Sequence, residues 1–162
     1  MTIRLFVTGG TFDKEYDEIR GRLYFADTHL VDMLAMGRCR LDVAVRTLMM
    51  VDSLDMGDVD RELIRRQCRE VSEEQIVLTH GTDTIVETAR VLAEADLGKT
   101  IVLTGAMIPI AFGSSDGLFN LGGALTAVQT LPAGVYITMN GRVFDWDKVR
   151  KNRDTGVFEA TD

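Results

Sequence analysis

Short apolar runs alternate along this chain with longer amphipathic stretches. Residues 3–8, 41–47, 75–80, 100–105 and 134–139 are rich in Val, Ile, Leu or Thr and bounded by Gly or polar clusters. That is the pattern of parallel strands buried on both faces. Between them the spacing predicts helices over about 28–37, 57–71, 84–96 and 116–131. The helix at 57–71 reads as a buried stripe of Val59, Leu63, Ile64, Cys68 and Val71, with Asp58, Arg61, Glu62, Arg65 and Arg69 on a solvated face. Thr84-x-x-Glu87 matches a capping box, which would start the third helix at Thr84 and leave Thr82 and Asp83 on the preceding loop. Ser72-x-x-Gln75 has the same form but leads into a strand-like run, so it reads as a turn. Alternating strands and helices with short connections predict an α/β fold: a three-layer, doubly wound, mostly parallel sheet of Rossmann or flavodoxin type with right-handed crossovers. The chain shows no internal repeat or linker, and its 162 residues suit one domain.

Two regions depart from this rhythm. Residues 12–25 mix charges (Asp13, Lys14, Glu15, Asp17, Glu18, Arg20, Arg22) around Gly21, with Tyr16 and Tyr24 on either side, and predict a mobile hairpin or lid. Residues 142–162 carry Lys148, Arg150, Lys151 and Arg153 and then become polar, which taken alone predicts a solvated tail.

Charge narrows the function. Lys and Arg number 18 against 25 Asp and Glu, a net charge of −7, which disfavours nucleic-acid binding along a basic face. The longest apolar stretch, 101–112, is interrupted by Thr104, Gly105 and Pro109 and is shorter than the ~18 residues a membrane span needs. The N-terminal run is too short for a signal peptide, so the expected location is the cytoplasm. Cys39 and Cys68 form no C-x-x-C or Cys/His cluster and are expected to be free, buried thiols. With His29 and His80 the only histidines, neither a metal centre nor a cofactor is expected. A serine-type triad would have to rest on His80 alone.

The chemistry therefore belongs at the strand ends, where open α/β sheets bind ligands. Three strands finish in a threonine followed at once or after one residue by glycine: Thr8-Gly9-Gly10-Thr11, Thr79-His80-Gly81-Thr82-Asp83-Thr84 and Thr104-Gly105-Ala106-Met107. Glycine lets a ligand approach the backbone, and the neighbouring hydroxyls and N–H groups suit a small, polar, carboxylate-bearing molecule. Phosphate motifs fail. Gly9-Gly10 lacks the third glycine of G-x-G-x-x-G, and Gly98-Lys99-Thr100 leads into a strand, with Ala93 where a Walker loop needs glycine. A threonine hydroxyl is a weak nucleophile unless a base or cation network assists it. Tyr16 follows Thr11 closely enough for a lid to deliver its phenol there. Backbone N–H groups at the Gly10 and Thr82 turns are placed to hold an oxyanion. The chemistry this predicts is amide or ester hydrolysis.

Thr8-Gly9-Gly10-Thr11 and His80-Gly81-Thr82-Asp83-Thr84 resemble the two signature motifs of the bacterial-type L-asparaginase and glutaminase-asparaginase family. Asp52-Ser53 resembles its substrate-carboxylate segment. Thr104-Gly105-Ala106-Met107, Ser115-Asp116-Gly117 and Asn120-Leu121 resemble a further conserved-order stretch, and Val149-Arg150-Lys151 follows Met139-Asn140 as the family's Val-x-Lys follows its Met-Asn turn. The resemblance implies Thr11 as the acyl-forming nucleophile, with Tyr16 as an activating lid residue and Tyr24 as its competitor. It implies a second set, Thr82, Asp83 and Lys151, that activates nucleophile or water, Asp83 also holding the substrate α-amino group. Substrate binding would fall to Gly10, Asp52, Ser53, Gly81 and Ala106, Ser53 taking the carboxylate and the Ala106 backbone the side-chain amide. Lys151, one of four lysines, thus becomes a catalytic candidate within the supposed tail. Leu54 stands where family members often have Gln, and Ile108 where Arg is usual. The chain resembles the N-terminal domain of two-domain enzymes, as a short single-domain branch.

The expected activity is L-asparagine amidohydrolysis to aspartate and ammonia through a threonine acyl-enzyme. Glutamine or another amide is the alternative substrate, and a non-catalytic amino-acid-binding module is the alternative of another class. Because a lone crevice would leave substrate open to water, a homo-oligomer, dimer or tetramer, is expected.

Overall fold

A computed structural model describes all residues, 1–162. Its centre is a six-stranded sheet ordered β4-β1-β5-β6-β7-β8. The strands are β1 (Thr2–Gly9), β4 (Asp42–Val51), β5 (Gln75–Thr79), β6 (Thr100–Thr104), β7 (Gly134–Met139) and β8 (Arg142–Asp145). The first five of these in spatial order run parallel, and β8 closes the edge antiparallel to β7. The five expected strands thus form one parallel sheet in a flavodoxin-like order, whose reversal of direction falls between β1 and β5.

Side-chain alternation divides the core into two layers. Phe6, Ile76, Leu78, Ile101 and Leu103 face helices α2 (Asp58–Glu70) and α3 (Ile85–Glu94). Leu5, Val7, Val77 and Val102 face α1 (Leu30–Met36) and α4 (Gly117–Thr130). Helices on both faces explain why these strands read as continuous apolar runs.

Four expectations need correction. The second strand runs on to Val51, well past Thr47, because its last residues pair with the end of β1, Gly9 opposite Val51. The buried face of α2 is Arg61, Ile64 and Cys68, whereas Val59 is 84% exposed; the apolar count placed Val59 inside, and the polar contacts available to Arg61 reverse the two. Residues 142–162 are not a solvated tail. They form β8 and a hairpin of β9 (Val149–Lys151) and β10 (Phe158–Ala160), anchored by buried Phe144, Val149 and Phe158. Of the two free cysteines, Cys68 is buried, with its thiol pushed up to about 12 by burial, and Cys39 is only half-buried.

The region 12–25 forms the expected hairpin, β2 (Lys14–Asp17) paired with β3 (Arg22–Phe25), turning at Gly21 with φ +65°. Its root is fixed by buried Asp13, which accepts the His29 N–H at 2.7 Å and the Thr28 hydroxyl. Burial holds the Asp13 carboxyl above its ordinary range, against those hydrogen bonds.

Candidate active site

Strand register builds the site. Val7 pairs with Thr79 and Thr79 with Thr104, so the segments leaving β1, β5 and β6 emerge side by side. The extra length of β4 brings Asp52-Ser53 level with them. Packing at these ends admits only glycine. A Cβ on Gly10, whose φ is +77°, would lie 2.4 Å from the Gly81 nitrogen, and one on Gly81 would lie 2.5 Å from Ser53 Oγ. The Gly10, Gly81 and Ser53 backbones are therefore stacked in contact.

Two of the three strand-end threonines, Thr8 and Thr104, spend their hydroxyls within the sheet, whereas the buried Thr79 hydroxyl has no partner. Thr8 donates to the Thr79 carbonyl at 2.8 Å and Thr104 to the Thr138 carbonyl at 2.7 Å, and all of Thr8, Thr79 and Thr104 are buried. The threonines one step further on differ. Thr11 opens a short 3₁₀ turn, Thr11–Asp13, at the exit of β1, half-buried and with its hydroxyl unpartnered. Thr82 lies on the β5 to α3 loop, 5% exposed.

Lys151 reaches this loop from β9. Its Nζ donates to Thr82 Oγ1 at 2.8 Å and to Asp83 Oδ1 at 2.8 Å, with the side chain 12% exposed. The only acceptor near the Thr82 hydroxyl proton is the Met107 sulfur at 3.7 Å, a weak one. Thr82 is thus a hydroxyl whose oxygen faces an ammonium and whose proton remains available. The structure brings Thr82, Asp83 and Lys151 together as one hydrogen-bonded group.

Neither tyrosine hydrogen-bonds Thr11. Tyr16 is half-exposed on β2, its ring edge-on to Phe112 at 6.5 Å between centroids, and its hydroxyl is unpartnered. Tyr24 donates to Glu15 at 2.8 Å, which raises its pKa. Its hydroxyl is therefore occupied. Asp52 is also occupied: its carboxylate pairs with Lys14 of the hairpin and accepts the Leu54 N–H at 3.0 Å, and the Lys14 contact lowers its pKa. Ser53 is buried at 2% exposure with its Oγ against Gly81. Leu54 and Ile108, at the two departures from the family pattern, are both exposed.

Ala106 is fully buried, and its backbone is fixed from both sides. Asn120 Nδ2 donates to the Gly105 carbonyl at 2.8 Å, while the Asp116 carboxylate accepts the Met107 and Ile108 N–H groups, each at 3.0 Å. Asn140 N–H donates in turn to Asn120 Oδ1 at 3.0 Å. Sequence reasoning assigned no role to this Asp116–Asn120–Asn140 support. The signal was present, since a polar Asn120 interrupts the buried face of α4.

A second polar network lies behind the β5 loop. The His80 Nδ1 sits 2.8 Å from the Gly81 carbonyl and Nε2 sits 2.7 Å from Thr88 Oγ1. A carbonyl only accepts, so Nδ1 carries the proton and Nε2 accepts from Thr88. Burial lowers the His80 pKa to about 4, with the nearby Arg61 adding to the effect. His80 is thus a neutral brace and not the base of a triad. The expected capping by Thr84 also fails: its hydroxyl donates to the Ser53 carbonyl at 2.8 Å and ties the two loops together. No group of three or more His, Cys, Asp or Glu side chains is arranged to hold a metal ion, and no helix is long and apolar enough to cross a membrane.

Residues 2–160 match the family described as "Asparaginase, N-terminal". The chain is 30% identical to a probable periplasmic L-asparaginase of Haemophilus influenzae, over 96% of this chain and 47% of that protein. It is likewise 30% identical to an L-asparaginase of Thermococcus kodakarensis, over 97% of this chain and 49% of the other. Among solved structures, L-asparaginase I of Vibrio cholerae superposes with a TM-score of 0.85 at 26% identity, covering 98% of this chain and 51% of that one. The chain spans about half the length of these relatives.

Proposed function

The chain belongs to the asparaginase family, matching its N-terminal part, and from that membership we propose that it is an L-asparagine amidohydrolase working through a threonine acyl-enzyme. The observation that carries the reading is the Lys151–Thr82–Asp83 group on the loop after β5, a loop that meets the segment carrying the unpartnered Thr11 hydroxyl where Gly10 and Gly81 touch, at the sheet's switch point. A binding module alone has no use for a half-buried lysine aimed at a threonine oxygen.

In this reading Thr11 Oγ attacks the side-chain carboxamide carbon of asparagine. Its proton passes, with Tyr16 brought over by the hairpin, to the departing nitrogen, which leaves as ammonia. Backbone N–H groups at the Gly10 and Thr82 turns hold the oxyanion, and the Ala106 backbone meets the amide. Thr82, polarised by the Lys151 ammonium, orients the water that then cleaves the ester, returning Thr11–OH and releasing aspartate. Ser53 and Gly81 take the substrate α-carboxylate, Asp83 its ammonium, and Asp52 anchors the Ser53 turn to Lys14. No metal or cofactor has a part in these steps.

Ammonia release from millimolar asparagine and glutamine tests the proposal, with a folded Thr11→Ala variant as control. Equal behaviour of wild type and variant overturns it. The ratio of kcat/KM for the two amides decides between them, since one methylene is worth only ~1–3 kcal/mol in a pocket. Aspartate that raises Tm without hydrolysis of any amide would instead make the chain a binding module.

The functional unit in this reading is a homodimer or larger. Tyr16, Leu23, Met107, Ile108 and Phe112 are exposed apolar side chains on the hairpin and the loop after β6, at the crevice mouth, and a second subunit would cover them and exclude water. Sedimentation of a fully active monomer would refute this.

A further inference from the structure

Arg61 lies on α2 with its guanidinium turned into the protein, the residue 9% exposed. Its Nη1 donates to the Met56 carbonyl at 3.0 Å, Nη2 to Thr84 Oγ1 at 2.9 Å and Nε to Thr88 Oγ1 at 3.2 Å. All three partners are neutral. Lys14 and Lys151, the lysines near the crevice, each have a carboxylate, Asp52 and Asp83 respectively. Arg61 has none within ion-pair distance. A guanidinium stays protonated in any protein setting, and burying one opposite neutral acceptors costs desolvation that an apolar residue of the same volume would avoid. Packing therefore gives no reason for an arginine here.

Two of its three partners lead to the same place. The Thr84 hydroxyl that accepts from Arg61 donates onward to the Ser53 carbonyl at 2.8 Å. Met56, whose carbonyl also accepts from Arg61, closes the turn after Ser53 by donating its N–H to that carbonyl at 3.3 Å. Both ends of the turn carrying Ser53 are thus held by one buried cation with no carboxylate in ion-pair contact.

We propose that Arg61 is a positioning residue for the substrate α-carboxylate: it locks the Ser53 turn through Thr84 and Met56, and its positive field favours an anion at Ser53. It does not touch substrate and acts through these two residues. The inference rests on the reading of Ser53 as the carboxylate site given above. It commits the site to amides that bear a free carboxylate beside the reacting group.

The test compares wild type with Arg61→Met, Arg61→Lys and Thr84→Val. The measurements are the Kd of aspartate by calorimetry, kcat and KM for asparagine, and the same constants for asparagine whose α-carboxylate is an uncharged carboxamide. Arg61→Met should raise Kd and KM by at least about tenfold with kcat within about threefold, and should lose most of the preference for asparagine over its α-amide. Arg61→Lys should recover part of that preference. Thr84→Val should weaken aspartate binding several-fold and keep the preference. An Arg61→Met protein that binds aspartate like wild type overturns the inference, as does one weakened equally toward both amides. If Arg61→Met does not fold, unchanged binding in Thr84→Val overturns it instead. A wild type that neither binds aspartate nor releases ammonia overturns the functional reading and this inference together. Normal wild-type binding with indifferent variants removes this inference alone.

Discussion

Lys151 and Thr82 lie 69 residues apart in the sequence, yet a single ammonium joins Thr82 and Asp83 at 2.8 Å each. Replacing Lys151 with Met leaves the Thr82 oxygen without its cation and Asp83 without its partner. The expected result is a loss of about 10²–10⁴ in kcat for asparagine, the range for a positioned acid–base group, with Tm nearly unchanged because the pair is partly solvated. A comparable kcat in Lys151→Met would remove the lysine from the chemistry. Tyr16→Phe should likewise lower kcat, whereas Tyr24→Phe should not, because Tyr24 already spends its hydroxyl on Glu15. Equal losses in the two would show that the hairpin acts only by covering the crevice. At this scale the threonine and glycine pattern marked the strand ends by itself, whereas Lys151, read alone as part of a solvated tail, was singled out by the family resemblance. Sequence reasoning misplaced Arg61 on the solvated face because a charged residue at helical spacing reads as solvated, and only the polar groups of the β4 and β5 loops show why it is buried.

The elements that carry the site are joined at glycines that have no room for a side chain. At Gly10 both obstacles coincide: a φ of +77° and a Cβ position 2.4 Å from the Gly81 nitrogen, which is backbone and cannot yield. Gly98 has a similar φ, +67°, with nothing within reach of a Cβ. Gly98→Ala should therefore cost only the left-handed strain of about 1–2 kcal/mol, a few degrees of Tm, with activity retained. Gly10→Ala should cost more stability and abolish ammonia release, since Thr11 follows it directly. Matching Tm and activity in the two variants would mean that contact between β1 and β5 ends is not what shapes the site. Element type was legible for every long periodic segment. The misses occurred where pairing partners set the limits: β4 continues because β1 offers Gly9 to Val51, and residues 142–162 fold because Phe144, Val149 and Phe158 find the core. Neither contact has a periodic signature.

For the whole molecule, the layer architecture and the placing of chemistry at the strand ends followed from alternation, whereas the strand order that puts the reversal between β1 and β5 had no signal in the periodicity. The burial of titratable groups had no such signal, and it sets how stability varies with pH. His80 titrates near 6.5 when unfolded and at about 4 in the folded protein, mainly because it is buried. Between these values the unfolded chain binds more protons, so stability is fully present above about pH 6.5 and falls as pH drops toward 4. At about 1.4 kcal/mol per unit of difference, the loss amounts to roughly 3 kcal/mol. Asp52 works at lower pH. Lys14 depresses its pKa, so that contribution is present above the ordinary carboxylate range and is lost only as pH falls below it. Urea titrations at pH 7, 5.5 and 4.5 should show the first loss in wild type and in Lys14→Met alike. In His80→Gln, stability at pH 7 should be lower, because the brace to Thr88 is weakened, but nearly independent of pH across that window. A wild-type profile flat from pH 7 to 4.5 would mean that His80 takes up its proton without disturbing the β5 loop, and that the loop is not held by a neutral imidazole.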